Sequence, residues 1–243
     1  DYMNFEETKF WISGLFPGEP QVGEYVTELP ASGRHGQEHD SAPLRVAEFS
    51  LYDGPDGQAN ERRPETAAAT VELGRNYCGL TGAAKTDIRV ELFSVAYADF
   101  PVATMVAAAG ALVEEEPEFL SPIPGRVIPN AVRLAADQVA EVGESSSSTA
   151  FTVAHVLCTV PYVWSDGVPN VSEMPGKISL HEGDVESPQG RMTTMTQLVP
   201  ITDAELVFYE QQGPQALMQK LAEVDADLRD WCRESVVSQE GSN

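Results

Sequence analysis

The chain has 243 residues and carries 15 Lys and Arg against 38 Asp and Glu, a formal net charge of −23. Binding to nucleic-acid phosphates or to anionic lipid depends on clustered Lys and Arg, so this balance argues against both as direct partners. An acidic surface fits a basic protein partner, and it equally fits a solvated surface that binds nothing. Apolar residues make up 42% of the chain, which is typical of a folded globular protein.

Cysteine usage and hydropathy predict a cytoplasmic protein. Cys78, Cys158 and Cys232 are widely spaced, which favours reduced thiols over a disulfide framework or a zinc site. The most apolar stretch, residues 101–113, is shorter than the ~20 residues of a membrane span, and no basic segment precedes an apolar one at the start. The chain opens on Asp1, so either Met3 is the native start or a leader has been removed.

The N-terminal half begins with a predicted helix and continues mainly as strands. Asn4 and Glu7 form a capping-box pattern for a helix over residues 5–13, and Gly14 is expected to end it in the left-handed conformation. A buried helix is predicted at residues 101–113, with Pro101 in its first turn. Strand-like patterns separated by Gly- and Pro-rich loops occur at residues 22–29, 44–51, 66–73 and 88–97.

The C-terminal half predicts three strands followed by two helices. The strands are an uncharged run at residues 151–163, expected to be buried on both faces, and segments 177–180 and 192–201. A second capping box, at Thr202-Asp203-Ala204-Glu205, begins a helix that Gly213 ends. The final helix is predicted from one apolar stripe, and residues 234–243 are expected to fray. The stripe consists of Leu217, Leu221, Val224 and Leu228.

These elements mix strands and helices without a strict βαβ rhythm. We therefore predict an α+β fold: a single domain over residues 1–243, with a mixed, mostly antiparallel sheet flanked by helices.

One short string suggests metal chemistry. His35-Gly36-Gln37-Glu38-His39 matches the inverted zinc-protease pattern H-x-x-E-H, which needs both histidines on one face of a helix and the Glu beside a metal-bound water. The surrounding glycines and prolines predict a loop instead. The string leaves a metal-dependent hydrolase using His35, Glu38 and His39 as an alternative, and adventitious metal binding by a loop as another. His155, on a buried strand, is expected to be a core histidine satisfied by the backbone.

The densest charge run is Glu114-Glu115-Glu116-Pro117-Glu118, at the end of a predicted helix where negative charge opposes the helix dipole. It is either a docking patch for a cationic partner or a solvated helix end. A second acidic group lies in the turn that contains Asp53 and Asp56. The candidate partner-binding residues are therefore Glu114, Glu115, Glu116, Glu118, Asp53 and Asp56.

The most specific segment is Gln197-Leu198-Val199-Pro200-Ile201-Thr202-Asp203-Ala204-Glu205-Leu206. It resembles the C-terminal part of bacterial suppressor-of-fused-like domains, in which a strand ending in a Leu-Val-Pro-Ile phrase enters a helix with a Glu-Leu pair. Arg233-Glu234-Ser235-Val236-Val237 is similar to the ending of that family. The resemblance is strongest over about the last fifty residues.

The resemblance implies a non-enzymatic domain that binds other proteins and needs no cofactor. It implies no catalytic residues. Many bacterial members are regarded as immunity proteins, so the expected partner is a cognate toxin that this chain neutralises. A basic nuclease domain would suit the acidic surface. A general regulatory protein-binding module is the remaining alternative, and the oligomeric state stays open.

Overall fold

The computed structural model describes residues 3–31, 37–51, 63–117, 119–142, 151–173 and 190–238. Within these ranges the helices are α1 Phe5–Ser13, α2 Val102–Glu115, α3 Ala131–Val142, α4 Asp203–Gln212 and α5 Pro214–Glu223. The strands before α2 are β1 Gln21–Tyr25, β2 Glu28–Leu29, β3 His39–Asp40, β4 Leu44–Leu51, β5 Glu65–Thr70, β6 Leu80–Thr81 and β7 Asp87–Tyr97. Those after it are β8 Val127–Ile128, β9 Val153–Thr159, β10 Asn170–Glu173 and β11 Arg191–Thr202.

The described strands form one large open sheet and one small hairpin. The large sheet runs in the order β1-β4-β5-β7-β11-β9-β8, with β10 added beside β11 and β6 beside β7. The central pair, β7 and β11, is parallel, and the other pairs are antiparallel. Strands β2 and β3 pair separately. The predicted α+β class with a mixed, mostly antiparallel sheet is confirmed.

Helices cover both faces of the large sheet, because alternate residues along each strand are apolar on opposite sides. On β4, Leu44 and Val46 join the core beneath α2 and α3, whereas Ala47 and Phe49 join the core on the opposite face. That second face is covered by α1 and Trp164 over β4, β5 and β7, and by α4 and α5 over β9 and β11.

Both predicted capping boxes are present. In α1, the Asn4 side chain accepts from the Glu7 backbone N–H while the Glu7 carboxylate accepts from the Asn4 backbone N–H. Thr202 and Glu205 do the same at α4. The expectation for Gly14 is wrong: its φ of −82° is right-handed, and its N–H bonds back to the last turn instead.

Helix α3 is the main element that the sequence patterns missed. Its first turn follows Pro129 and Asn130, where Asn130 adopts a positive φ of 63° rather than serving as a capping-box residue. The buried face consists of Ala131, Val132 and Ala135. The exposed face carries Arg133, Asp137 and Glu141, so an amphipathic helical period was present in the sequence and was overlooked.

Three strand predictions differ from the structure at their ends. The strand expected at residues 66–73 is β5, which ends at Thr70. The segment 22–29 is divided into β1 and β2 rather than forming one strand. The strand predicted at 151–163 ends at Thr159, because Pro161 lacks the N–H that would continue the ladder. Residues 153–159 are buried throughout, as expected. The segment 177–180 lies outside the described residues.

The C-terminal predictions need two corrections. Helix α5 ends at Glu223, so Leu217 and Leu221 are buried but Val224 is 59% exposed. The predicted frayed tail is also wrong for its first residues. The Val236 N–H donates to the Glu205 carboxylate at 3.0 Å, which holds this segment against α4; residues 239–243 lie outside the described part.

No helix in the described ranges is long and apolar enough to cross a membrane.

Candidate functional site

The predicted acidic run is largely engaged within the molecule. Glu114 accepts a hydrogen bond from the Asn76 side chain and lies 3.8 Å from the Arg75 guanidinium. Its side chain is 15% exposed, and burial raises the pKa of Glu114, partly offset by Arg75. Glu115 lies 3.3 Å from the Nε2 atom of His39. These partners explain how acids are tolerated at the C-terminal end of α2.

The structure gives little information on the other predicted binding residues. Glu116 is the C-cap of α2 and is half-buried. Glu118, Asp53 and Asp56 lie outside the described residues. A docking role for these six residues therefore stays a prediction.

The metal-like string does not have the geometry of a zinc-protease helix. His39 lies in the two-residue strand β3 and Glu38 directly precedes it, so neither residue is on a helix. His35 lies outside the described residues. Among those that are described, no group of three His, Cys, Asp or Glu side chains is arranged to hold a metal ion.

A groove that the sequence did not reveal lies between α3 and the β2–β3 hairpin. The hairpin is closed by backbone and side-chain bonds between Thr27 and Ser41. It is attached to α3 by Gln138, whose side-chain amide donates to the Val26 carbonyl at 2.7 Å. The groove between them has a volume of about 440 Å³, and its apolar lining residues are Val26, Leu29, Pro30 and Leu134.

Five carboxylates surround this apolar lining. They belong to Glu28, Glu38, Asp40, Asp137 and Glu141. No Lys or Arg lines the groove in the part of the chain that is described. In the same part of the chain, none of the five carboxylates forms a salt bridge. Among the described residues, the groove is therefore a concentrated patch of negative charge beside apolar surface.

Helix α3 carries two of these acids at positions that do not favour the helix. Asp137 and Glu141 are exposed and four residues apart, so their like charges repel along one helix face. Glu141 also lies in the last turn, where negative charge opposes the helix dipole, and that turn has no basic residue. Unlike Glu114 and Glu115, neither has an internal partner that offsets this cost among the described residues.

His39 joins the groove to the acidic run. Its position on β3 places it next to Asp40 in the groove wall, and its ring contacts Glu115 at the end of α2. The carbonyl of Gln37 and the carboxylate of Glu115 raise the pKa of His39. The predicted run and the observed groove are thus neighbours on one acidic side of the molecule.

The buried histidine has a structural role. The backbone N–H of Asn130 donates to Nδ1 of His155 at 2.9 Å, so Nε2 carries the proton and donates to Asp203 at 2.8 Å. The bonds from His155 and Arg133 lower the pKa of Asp203. Among the described residues, no Ser, Thr or Cys side chain hydrogen-bonds to this ring. His155 is buried, as predicted, and one ring nitrogen is bonded to the backbone, but its bond to the Asp203 carboxylate was not predicted.

Comparison with solved structures assigns the fold. A bacterial suppressor-of-fused homolog from Neisseria gonorrhoeae superposes with a TM-score of 0.55, covering 98% of this chain and 100% of that one at 16% identity. The chain has the suppressor-of-fused fold. No family model and no curated protein matches the sequence.

Two further suppressor-of-fused structures superpose less well on this chain. Drosophila Suppressor of Fused gives a TM-score of 0.41 at 13% identity, and the match covers 79% of this chain and 42% of that one. A Sufu–Fu complex gives a TM-score of 0.41 at 14% identity, covering 96% and 91%. At these TM-scores they add nothing to the assignment.

Proposed function

We propose that this chain is a non-enzymatic protein-binding domain whose acidic groove binds a basic segment of a partner protein. The observation that carries the proposal is the set of five carboxylates around an apolar lining between α3 and the β2–β3 hairpin, none of which forms a salt bridge with another described residue. Apolar surface supplies affinity when it is covered, and the carboxylates select Lys and Arg and speed the encounter.

The partner that fits best is a cognate bacterial toxin, which the chain would neutralise in the cytoplasm as an immunity protein. The resemblance of residues 197–206 to bacterial suppressor-of-fused-like domains supports this. The Neisseria gonorrhoeae homolog supports the fold. If the toxin is a basic nuclease domain, the groove carboxylates would occupy the positions that nucleic-acid phosphates take on its surface. Glu114, Glu115 and Glu116 would then form the rim of the interface.

Capture of the partner from the native cell tests this proposal. The bait is the full chain, compared with a groove variant carrying Asp137→Lys and Glu141→Lys and with a control carrying Glu19→Lys and Glu210→Lys. Both variants change the net charge equally, and all four side chains are exposed. We expect wild type and the control to retain one basic protein that the groove variant loses.

The outcomes distinguish the proposed binding of a partner by the groove from the proposed immunity role. Equal retention by all three baits would show that the groove is not the interface. Loss by the groove variant of a partner that has no toxic activity would keep the binding domain and overturn the immunity role, leaving a general regulatory module.

A further inference from the structure

Only the first half of the apolar stripe predicted at the C-terminal end is buried in the core. Leu217 and Leu221 are buried against the sheet beside Val199 and Ile201. Beyond the end of α5, Val224 is exposed and Leu228 is half-buried. The second half of the stripe therefore continues onto the molecular surface.

Tyr162, in the segment that follows β9, lies beside this surface. After β9 the chain exposes Val160, Tyr162 and Val163 by 58%, 55% and 44%. The segment is fixed at both sides, because the Tyr162 N–H donates to the Gln197 side chain and the Trp164 indole donates to the Leu15 carbonyl. Tyr162 is therefore held on the surface by its neighbours. Clustered exposed apolar side chains of this kind mark interaction sites more often than scattered ones do.

Between Tyr162 and the end of α5 lies a groove of about 550 Å³, which we call the Tyr162 groove. Its main apolar lining residues are Met218, Leu221, Ala222 and Leu228. Helix α5 packs on the face of β9 and β11 opposite to that covered by α3. The Tyr162 groove is therefore separate from the acidic groove, and the two could be occupied together.

The charge of the Tyr162 groove selects its occupant. Arg229 is neutralised by Glu65 at 2.5 Å and Asp227 at 2.9 Å, and the Tyr97 hydroxyl also donates to Asp227. Asp225 is exposed and has no salt bridge in the described part of the chain. The charge left for an incoming segment is negative, which matches a basic residue. A second copy of this chain, with a net charge of −23, would be repelled.

We propose that the Tyr162 groove binds a segment of a partner protein in which large apolar side chains flank a Lys or Arg. The apolar side chains contact Met218, Ala222 and Leu228 and stack on Tyr162, while the cation pairs with Asp225. This binding mode is independent of the acidic groove and of its proposed toxin partner. It gives the domain a second docking surface on the opposite face of the sheet.

Selection from a displayed library of random short peptides against the full chain tests the proposal. We expect enriched peptides to combine large apolar residues with Lys or Arg. Their affinity should fall by about tenfold or more in Tyr162→Ser, since an aromatic anchor at the centre of an interface contributes that much. Asp225→Asn keeps a residue type that tolerates the positive φ of 50° at this position and should weaken the preference for basic peptides.

A matched control and a second measurement make the result decisive. Phe10→Ser removes an aromatic ring that is 81% exposed on α1, and it should leave peptide binding unchanged. Failure to enrich any peptide, or equal binding to Tyr162→Ser, would overturn the proposal. Sedimentation that shows a wild-type dimer which Tyr162→Ser dissociates would also overturn it, because the occupant would then be a second copy.

Discussion

The substitution Arg233→Met should destabilise the protein strongly, because it leaves the buried carboxylate of Glu205 without its positively charged partner. The Arg233 guanidinium donates to both oxygens of Glu205, at 2.7 and 2.8 Å, and to the carbonyl of Pro200 at 3.0 Å. Glu205 is completely buried, and it also accepts from the Val236 N–H. This single pair joins the last strand, α4 and the C-terminal segment.

The magnitude follows from the burial of the pair. Removing one partner of a buried ion pair typically costs about 3–5 kcal/mol, because the remaining charge is left without compensation. The matched control is Arg133→Met, since Nη2 of Arg133 donates to both oxygens of Asp203 and both side chains are about half exposed or more. Exposed pairs contribute about 0–1 kcal/mol. The two Arg→Met variants should therefore differ by a few kcal/mol.

Urea unfolding at several pH values measures this difference. Arg233 lowers the pKa of Glu205 against the opposing effect of burial, so the stability from this carboxylate is present above its ordinary pKa and is lost as the pH falls. In Arg233→Met the deficit should be largest near neutral pH and shrink in acid, and adding Glu205→Gln should recover part of it. Equal costs for Arg233→Met and Arg133→Met, or a deficit that does not change with pH, would refute the reasoning.

Three further predictions concern buried groups. Burial raises the pKa of Glu91 to about 7 despite hydrogen bonds from Thr70, Leu73 and Gly74. The folded state therefore binds the proton more tightly than the unfolded state. The free energy of unfolding should be highest below the ordinary Glu pKa and should fall by about 3 kcal/mol as the pH rises to about 7. The free energy of unfolding, measured with urea, should be lower at pH 8 than at pH 5 in wild type but not in Glu91→Gln. An equal decrease in both proteins would contradict the prediction. Gly110→Ala should lower the thermal midpoint, because the new Cβ would meet Leu44 Cδ2 at 2.4 Å and overpacking costs more than the ~1 kcal/mol gained in helix propensity; a higher midpoint would argue against this packing. A thiol reagent should modify Cys232 in the native protein and reach Cys78 and Cys158 only on unfolding, since the latter two are buried and burial raises the pKa of Cys158 to about 12; mass spectrometry that finds Cys158 modified first would contradict it.

The sequence was most informative where side-chain chemistry acts locally. The capping boxes at Asn4 and Thr202 predicted the start of α1 and α4, because each depends on residues only three positions apart. Strand β4 was predicted with its observed bounds from its apolar content alone. Helix α3 was missed although its sequence is amphipathic, with buried Ala131, Val132 and Ala135 opposite exposed charged residues; it packs against α2 and β9.

The same missing helix hid the candidate site. Without α3, Asp137 and Glu141 could not be read as two acids on one helix face, and nothing placed them opposite Glu28 and Asp40. Acid density in the sequence pointed instead to Glu114 and its neighbours, which the fold pairs with Arg75, Asn76 and His39. A spacing of four between like charges near a helix C-terminus is the signal that could have found the groove.

The central claim is that the position of the groove carboxylates, and not total charge, drives partner binding. The most direct test is the association rate of the captured partner as a function of salt, measured for wild type, the groove variant and the Glu19→Lys, Glu210→Lys control. At low salt the groove variant should associate about tenfold or more slowly and depend less on salt, while the control stays close to wild type. Equal slowing of both variants, or of neither, would contradict the claim.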